Sequence, residues 1–186
     1  MLGIFDMIMK EEEVVLVDAQ DNFLGTMPKM EAHQKGVLHR AFSVFVLNSK
    51  NELLLQKRAK TKYHSPNLWT NTCCSHQRLN ESSLSAGVRR LNEEMGLNIN
   101  LKEAFTFKYL APFDNGLKEH ELDHVLIGYT NNNPTINVEE VSDWKWVKMD
   151  FISQDLYSNP DIYTIWFKIV FEQFVNHIKK NESNSK

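Results

Sequence analysis

The stretch Asn67-Leu-Trp-Thr-Asn-Thr-Cys-Cys-Ser-His76 holds both cysteines of the chain, Cys73 and Cys74, close to a histidine. In an extended segment successive side chains alternate, so Thr72, Cys74 and His76 share one side and Cys73 faces the other. One thiol can then serve a site while its neighbour serves the core. A thiol beside an imidazole suits a nucleophile, a metal ligand or a proton-transfer group, and two buried small residues near a surface histidine fit the local pattern equally well. Further on, Glu119 and Glu121 stand two apart. On a strand their carboxylates face the same way and repel unless a metal or a proton lies between them. His33, His39 and His76 come from separate loop-like places, so any metal site they form with those glutamates is assembled by tertiary folding. Imidazoles and carboxylates together suit Mn²⁺, Zn²⁺ or Fe²⁺. His64, His120, His124 and His177 find no matching partners in the sequence and read as surface or core histidines.

The elements that must position these residues follow from pattern. Glu13–Asp18 and Phe23–Met27 read as a hairpin turning at Asp21-Asn22, and Pro28–His33 as a linking segment that leads through Gly36 to His39. Arg40–Asn48 is rich in β-branched and aromatic residues, as a buried strand is, and Glu52–Arg58 reads as its antiparallel partner across the turn Ser49–Asn51. Asn80–Ser83 supply caps for a helix whose apolar positions Leu84, Val88, Leu91 and Met95 keep a helical period, stopped by Gly96. Its other face carries Arg89, Arg90, Glu93 and Glu94, which alone would be a solvated charged surface. Strands are predicted at Ala104–Leu110, with Phe105, Phe107 and Tyr109 on one face, at Glu119–Tyr129 and at Val141–Met149. Asn159-Pro160 is expected to open a terminal helix with Ile162, Ile165, Trp166, Ile169, Val170 and Phe174 along one stripe. Residues 1–12 read as an N-terminal extension, 13–178 as one domain, and 179–186 as a polar, disordered tail.

With 186 residues the chain can bury a proper core as a single domain. A net charge of -3 from 21 basic and 24 acidic residues offers no broad cationic surface for nucleic acid, although a small anion could still meet a local basic pocket. Adjacent cysteines make a poor disulfide framework and point to a reducing, cytoplasmic setting. No apolar run reaches the ~20 residues of a membrane span.

The helix reads as a damaged Nudix box: Ser75, Glu81, Arg89, Arg90, Leu91, Asn92, Glu93, Glu94, Met95, Gly96 and Leu97 fall on its positions, with serine in place of glycine and Arg90 in place of the first core glutamate. A hydrolase of that type uses its carboxylates to hold Mg²⁺ on a diphosphate, and an arginine among them favours holding an anion. Together with His33, Leu38-His-Arg-Ala-Phe-Ser43, Trp69–His76 and Glu119-His-Glu121, the chain from about Val14 to Phe174 closely resembles the type I isopentenyl-diphosphate isomerases. Gln77 stands where that family commonly has proline. The resemblance implies an α/β (α+β) fold, a Nudix-like mixed β-sheet sandwiched between helices in a single compact domain. It implies a double-bond shift between isopentenyl and dimethylallyl diphosphate, with Cys74 and Glu121 as the acid/base pair, Tyr109 hydrogen-bonding the glutamate, and Trp166 facing a carbocation. It further implies a site for Mn²⁺, Zn²⁺ or Mg²⁺, the first two foremost, on His33, His39, His76, Glu119 and Glu121. Mg²⁺ would arrive with the diphosphate on Glu94 and the carbonyl of Cys74, and Lys29, Arg58, Lys62 and Arg90 would surround the phosphates. The expected partner is a small allylic or homoallylic diphosphate, with no nucleic acid or membrane, for a monomer or weak homodimer. Two other readings stand beside it: a Nudix diphosphohydrolase, and a non-catalytic diphosphate- or metal-binding module.

Overall fold

The structure, a computed structural model, describes residues 12–184; of the expected extension 1–12, only Glu12 falls within them. Two limbs of a mixed sheet share one corner. β3 (His39–Leu47) and β4 (Glu52–Arg58) were expected to run as an antiparallel pair, yet they meet only at Leu47↔Leu53 and then part. β3 pairs along its whole length, in parallel, with β8 (Lys118–Tyr129), whose outer neighbour is antiparallel β7 (Leu101–Pro112). β4 turns to β9 (Val141–Lys148) instead. A hairpin of β1 (Glu13–Val17) and β2 (Phe23–Pro28) joins β3 at Leu16↔His39.

The cysteine stretch fills the gap between the parting strands. β5 (Trp69–Thr70) pairs with β4, and β6 (Cys73–Ser75) pairs with β3. Between them Thr72 Oγ1 donates to the Leu54 carbonyl (2.7 Å) and accepts from the Val46 N–H (2.9 Å), so one side chain bridges both limbs. Asn71 Nδ2 donates to the carbonyls of Cys73 (2.7 Å) and Val44 (3.2 Å). These side chains replace ladder bonds that the split removes, as buried backbone groups require. Cys74 and its backbone are thereby fixed at the base of the wedge.

Helices cover both faces. α2 (Ser83–Met95) is capped by Ser82, whose Oγ accepts from the Ser85 N–H, and ends at Gly96 with φ 65°. It buries Ala86, Leu91 and Met95 against Phe42, Val44, Val46, Leu126 and Cys73. Gly87 is required there, since a Cβ would come within 2.4 Å of a Leu126 methyl. On the opposite face α4 (Ile165–Asn184) packs Trp166, Phe167, Val170, Phe171, Phe174 and Ile178 against Phe45, Leu47, Val125 and Ile127.

Several boundaries differ from expectation. The linking segment contains a helix, α1 (Lys29–Lys35), entered from Pro28 and closed by Gly36 at φ 66°. A further helix, α3 (Met149–Ser158), follows β9; it buries only Ile152, so the sequence shows no apolar stripe. Pro160–Ile162 form a separate 3₁₀ turn, and α4 begins only at Ile165, with Ile162 and Ile169 exposed. Lys179 to Asn184 continue α4 where disorder was expected: extending an existing helix avoids the cost of a new nucleus.

Candidate active site

Where β3 and β8 enter the sheet, His39 is paired directly with Glu121. The period of two puts Glu119, Glu121 and Asp123 on one face of β8, and Tyr109 of β7 is the register partner of Glu121. α1 contributes Lys29 and His33, one helical turn apart. A cavity of about 330 Å³ opens here, lined among others by Lys29, Arg58, Lys62, His64, Cys74, His76, Arg90, Tyr109, Glu119, Glu121, Asp123 and Trp166. The cysteine pair divides as alternation predicts: Cys73 is fully buried on the α2 face, while Cys74 is partly exposed, packs toward the α4 face and lines the cavity.

His33, His39, His76 and Glu121, all buried, bring one ligand atom each within 4.8 Å of one another. Their tautomers are set by the backbone. His33 Nδ1–H donates to the Lys29 carbonyl (2.7 Å), which leaves its Nε2 buried and unpartnered, and His39 Nδ1–H donates to the Val37 carbonyl (2.8 Å), which turns its Nε2 toward Glu121 Oε1 at 3.5 Å. Imidazole nitrogens aimed at one carboxylate suit a divalent cation. His76 Nε2 lies 3.0 Å from Glu121 Oε1. Burial pushes its pKa down to about 4 against the pull of that carboxylate, so the ring is neutral. Glu119 stands beside this set: Oε1 is 3.2 Å from His64 Nε2 and Oε2 is 3.0 Å from the Tyr109 hydroxyl.

The same hydroxyl lies 2.6 Å from Glu121 Oε2. One hydroxyl has one hydrogen, so two carboxylates on it need an extra proton. Burial and the charge of Glu121 hold Glu119 well above the usual carboxylate range. Burial would raise Glu121 too, but hydrogen bonds from His39 and His76 hold it well below. The proton therefore sits on Glu119, which donates to Tyr109, which donates to Glu121. Burial likewise pushes the Cys74 thiol up to about 12, and burial beside Arg58 pushes His64 down to about 2.

The expected phosphate-facing cations divide into two groups. Arg58 is buried, donates to the carbonyls of His64 and Ser65, and places its guanidinium 5.2 Å from the Trp166 ring centroid. Lys29 pairs with Glu12 at 2.9 Å. Lys62 and Arg90 are both held by Glu140, a residue that sequence reasoning missed because it comes from the turn before β9. Arg90 also reaches Glu94 Oε1 at 2.6 Å, and Glu94 Oε2 accepts from Gln56 at 3.0 Å, so both oxygens of the expected Mg²⁺ ligand are engaged. His64 was also missed. Its loop carries no periodic signal, and only tertiary folding brings it to Glu119.

The split mixed sheet, flanked by α2 with its glutamate and arginine pattern, defines the NUDIX class, and residues 37–167 match the NUDIX domain family. A crystal structure of DR0079 from Deinococcus radiodurans superimposes with a TM-score of 0.73 at 17% identity, covering 87% of this chain and 98% of that one. The MutT protein of Methanosarcina mazei Go1 gives 0.63 at 19%, covering 76% and 96%. At such identities the likeness is one of fold. Isopentenyl-diphosphate Delta-isomerase 2 of Photorhabdus laumondii is 52% identical over 158 residues, 85% of this chain and 89% of that protein. Isopentenyl-diphosphate Delta-isomerase 2 of Aromatoleum aromaticum is 48% identical over 166 residues, 89% and 88% of the two. The isopentenyl-diphosphate Delta-isomerase of Aliivibrio fischeri strain MJ11 is 49% identical over 175 residues, 90% and 97%. The chain belongs to the isopentenyl-diphosphate Delta-isomerases within the NUDIX family. No helix among the described residues is long and apolar enough to cross a membrane.

Proposed function

We propose that the chain interconverts isopentenyl diphosphate and dimethylallyl diphosphate in isoprenoid biosynthesis, in the cytoplasm, by two-sided proton transfer. The observation that carries this reading is the placement of two unlike acid/base groups, Cys74 on β6 and Glu121 on β8, on either side of β3 and in one cavity. From isopentenyl diphosphate, a proton is added at the terminal methylene, leaving a tertiary carbocation. Another proton is then taken from the carbon next to the one bearing oxygen. Glu121, joined to Tyr109 and Glu119, protonates the alkene, and Cys74 removes the second proton from the other face. The ground-state arrangement, with a protonated thiol and an ionised Glu121, is the opposite end of the same reversible cycle, the form that receives dimethylallyl diphosphate. Each conversion of isopentenyl diphosphate leaves the thiol protonated and Glu121 ionised, so before the next one the thiol releases its proton to solvent and the Glu121–Tyr109–Glu119 chain takes one up; the reverse conversion runs the same steps backwards.

The Trp166 ring already accommodates the Arg58 guanidinium, which supports a role for its face in stabilising the carbocation. His33, His39, His76 and Glu121 would hold a Mn²⁺ or Zn²⁺ ion, and Glu119, beside them, would join as a fifth ligand on giving up its proton and its hydrogen bond to Tyr109. The charge of the ion would fix Glu121 and favour the ionised carboxylate. Lys29, Arg58, Lys62 and Arg90 bind the diphosphate, whose Mg²⁺ would be met by Glu94 and the Cys74 carbonyl; Glu94 must exchange one of its present partners to do so. The test is incubation of the purified protein with Mg²⁺ and isopentenyl diphosphate, followed by proton NMR. Dimethylallyl diphosphate is the expected product. Released phosphate with no isomer would instead identify a hydrolase.

A further inference from the structure

His64 is a buried imidazole to which the proposed mechanism gives no task. It lies in the loop between β4 and β5 and touches groups with three different duties. Its Nε2 is 3.2 Å from Glu119 Oε1. Its ring meets Trp166 edge-on with centroids 5.7 Å apart, and stacks on Phe113 at 4.9 Å. Its carbonyl accepts from Arg58 Nη2 at 3.2 Å. The loop is anchored in turn: Asn115 Nδ2 donates to the Tyr63 carbonyl at 3.3 Å, and Arg58 Nε donates to the Ser65 carbonyl at 3.2 Å.

Glu119 depends on this contact. Its other oxygen is on Tyr109, and the residue is only 5% exposed, so without His64 its Oε1 would be buried with no donor. A terminal carboxylate torsion is soft, and an unsatisfied buried acceptor is costly; the group would turn to find another partner and pull Tyr109 with it. A ring wedged between Trp166 and Phe113 does not move to follow. Its Nε2 position is therefore set by packing, as a supporting group needs.

We propose that His64 is a positioning residue for the isomerisation: its Nε2–H fixes Glu119 so that Tyr109 and Glu121 stay aligned on the alkene, while its ring braces Trp166. The proposal rests on the isomerase reading, and the test separates the two. His64→Phe keeps the stacked ring and removes the donor; His64→Gln restores an N–H near the Nε2 position. In the isomerase assay with Mg²⁺ and isopentenyl diphosphate, the Phe variant is expected to lose at least about tenfold in kcat, the scale on which second-layer partners act. KM should stay within about twofold, and the Gln variant should recover to within about threefold of the parent, because the lost interaction does not bind the diphosphate. Should the Phe variant fail to fold, His64→Asn, whose donor is too short to reach Glu119, makes the same comparison. A parent protein that turns nothing over sinks the isomerase reading itself. A parent that works, alongside a donor-free variant that works equally well, sinks only the role of His64. Equal impairment of the donor-free and Gln variants, or a loss confined to KM, also overturns it.

Discussion

Two sets of carboxylates flank the same sheet and are neutralised in opposite ways. On and just before α2, Glu81 is gripped by Arg89 through both oxygens (2.7 and 2.8 Å), Glu93 by Arg89 and Arg90, and Glu94 by Arg90. On β8, among the described residues, Glu119 and Glu121 pair only with histidines and a tyrosine, and Asp123 accepts from the Ser43 hydroxyl at 2.8 Å. A guanidinium holds a carboxylate ionised at any ordinary pH. Imidazole and phenol partners instead leave protons free to move: burial and the charge of Glu121 raise Glu119, while hydrogen bonds from His39 and His76 lower Glu121 against its own burial. In a Nudix hydrolase the helix carboxylates would hold Mg²⁺ for attack by water. Here Arg90 has entered that set, and the proposed mechanism gives the proton chemistry to the strand.

The sharpest way to break this contrast is to remove one carboxylate from each set. Glu121→Gln should reduce isomerisation by at least about a thousandfold, and Glu93→Gln by less than about threefold, since it loses only partly exposed ion pairs; equal losses would erase the distinction. Arg90→Glu restores the box residue but leaves Glu93, Glu94 and Glu140 facing like charge. We expect a stability loss of roughly 3 kcal/mol in chemical denaturation, a raised KM for the diphosphate, and no phosphate release from nucleoside diphosphates. Tyr109→Phe, which uncouples Glu119 from Glu121, should lower kcat by about ten- to a hundredfold with little change in KM. The pH dependence probes the histidines. Burial lowers the pKa of His33 and pushes that of His76 down to about 4, so protons compete for those two nitrogens only at lower pH, and metal retention, followed by chelator competition, should persist below pH 6.5 and fall as pH approaches 4. Loss centred at 6.5 would contradict the burial argument. The smallest effect belongs to Cys73→Ala, which should cost about 1 kcal/mol of stability and leave kcat within about twofold.

What the sequence disclosed was mostly what period and parity decide. Alternation across Thr72–His76 put Cys73 and Cys74 on opposite faces, the family resemblance chose Cys74 for the site, and the same rule placed Glu119 with Glu121. The apolar period and Gly96 located α2. The partner of β4 was not legible, because Thr72 bonds both limbs and lets the strands part, an arrangement no local pattern reveals. α1 was hidden by its seven-residue length after a proline, and α3 by having a single buried residue. His64, Gln56 and Glu140 act through contacts across 55, 38 and 50 or more residues, so their types stood in view and their partners did not.

The central claim is that Glu121 and Cys74 act on opposite sides of one substrate, and a single NMR measurement in D₂O tests it. Isopentenyl diphosphate is incubated with the Cys74→Ala variant and Mg²⁺, and deuterium is followed carbon by carbon. With the metal-side acid intact and the thiol gone, the substrate should slowly gain deuterium at its terminal methylene while no dimethylallyl diphosphate forms. Product at the parent's rate, or deuterium appearing first at the carbon next to the oxygen-bearing one, would contradict it.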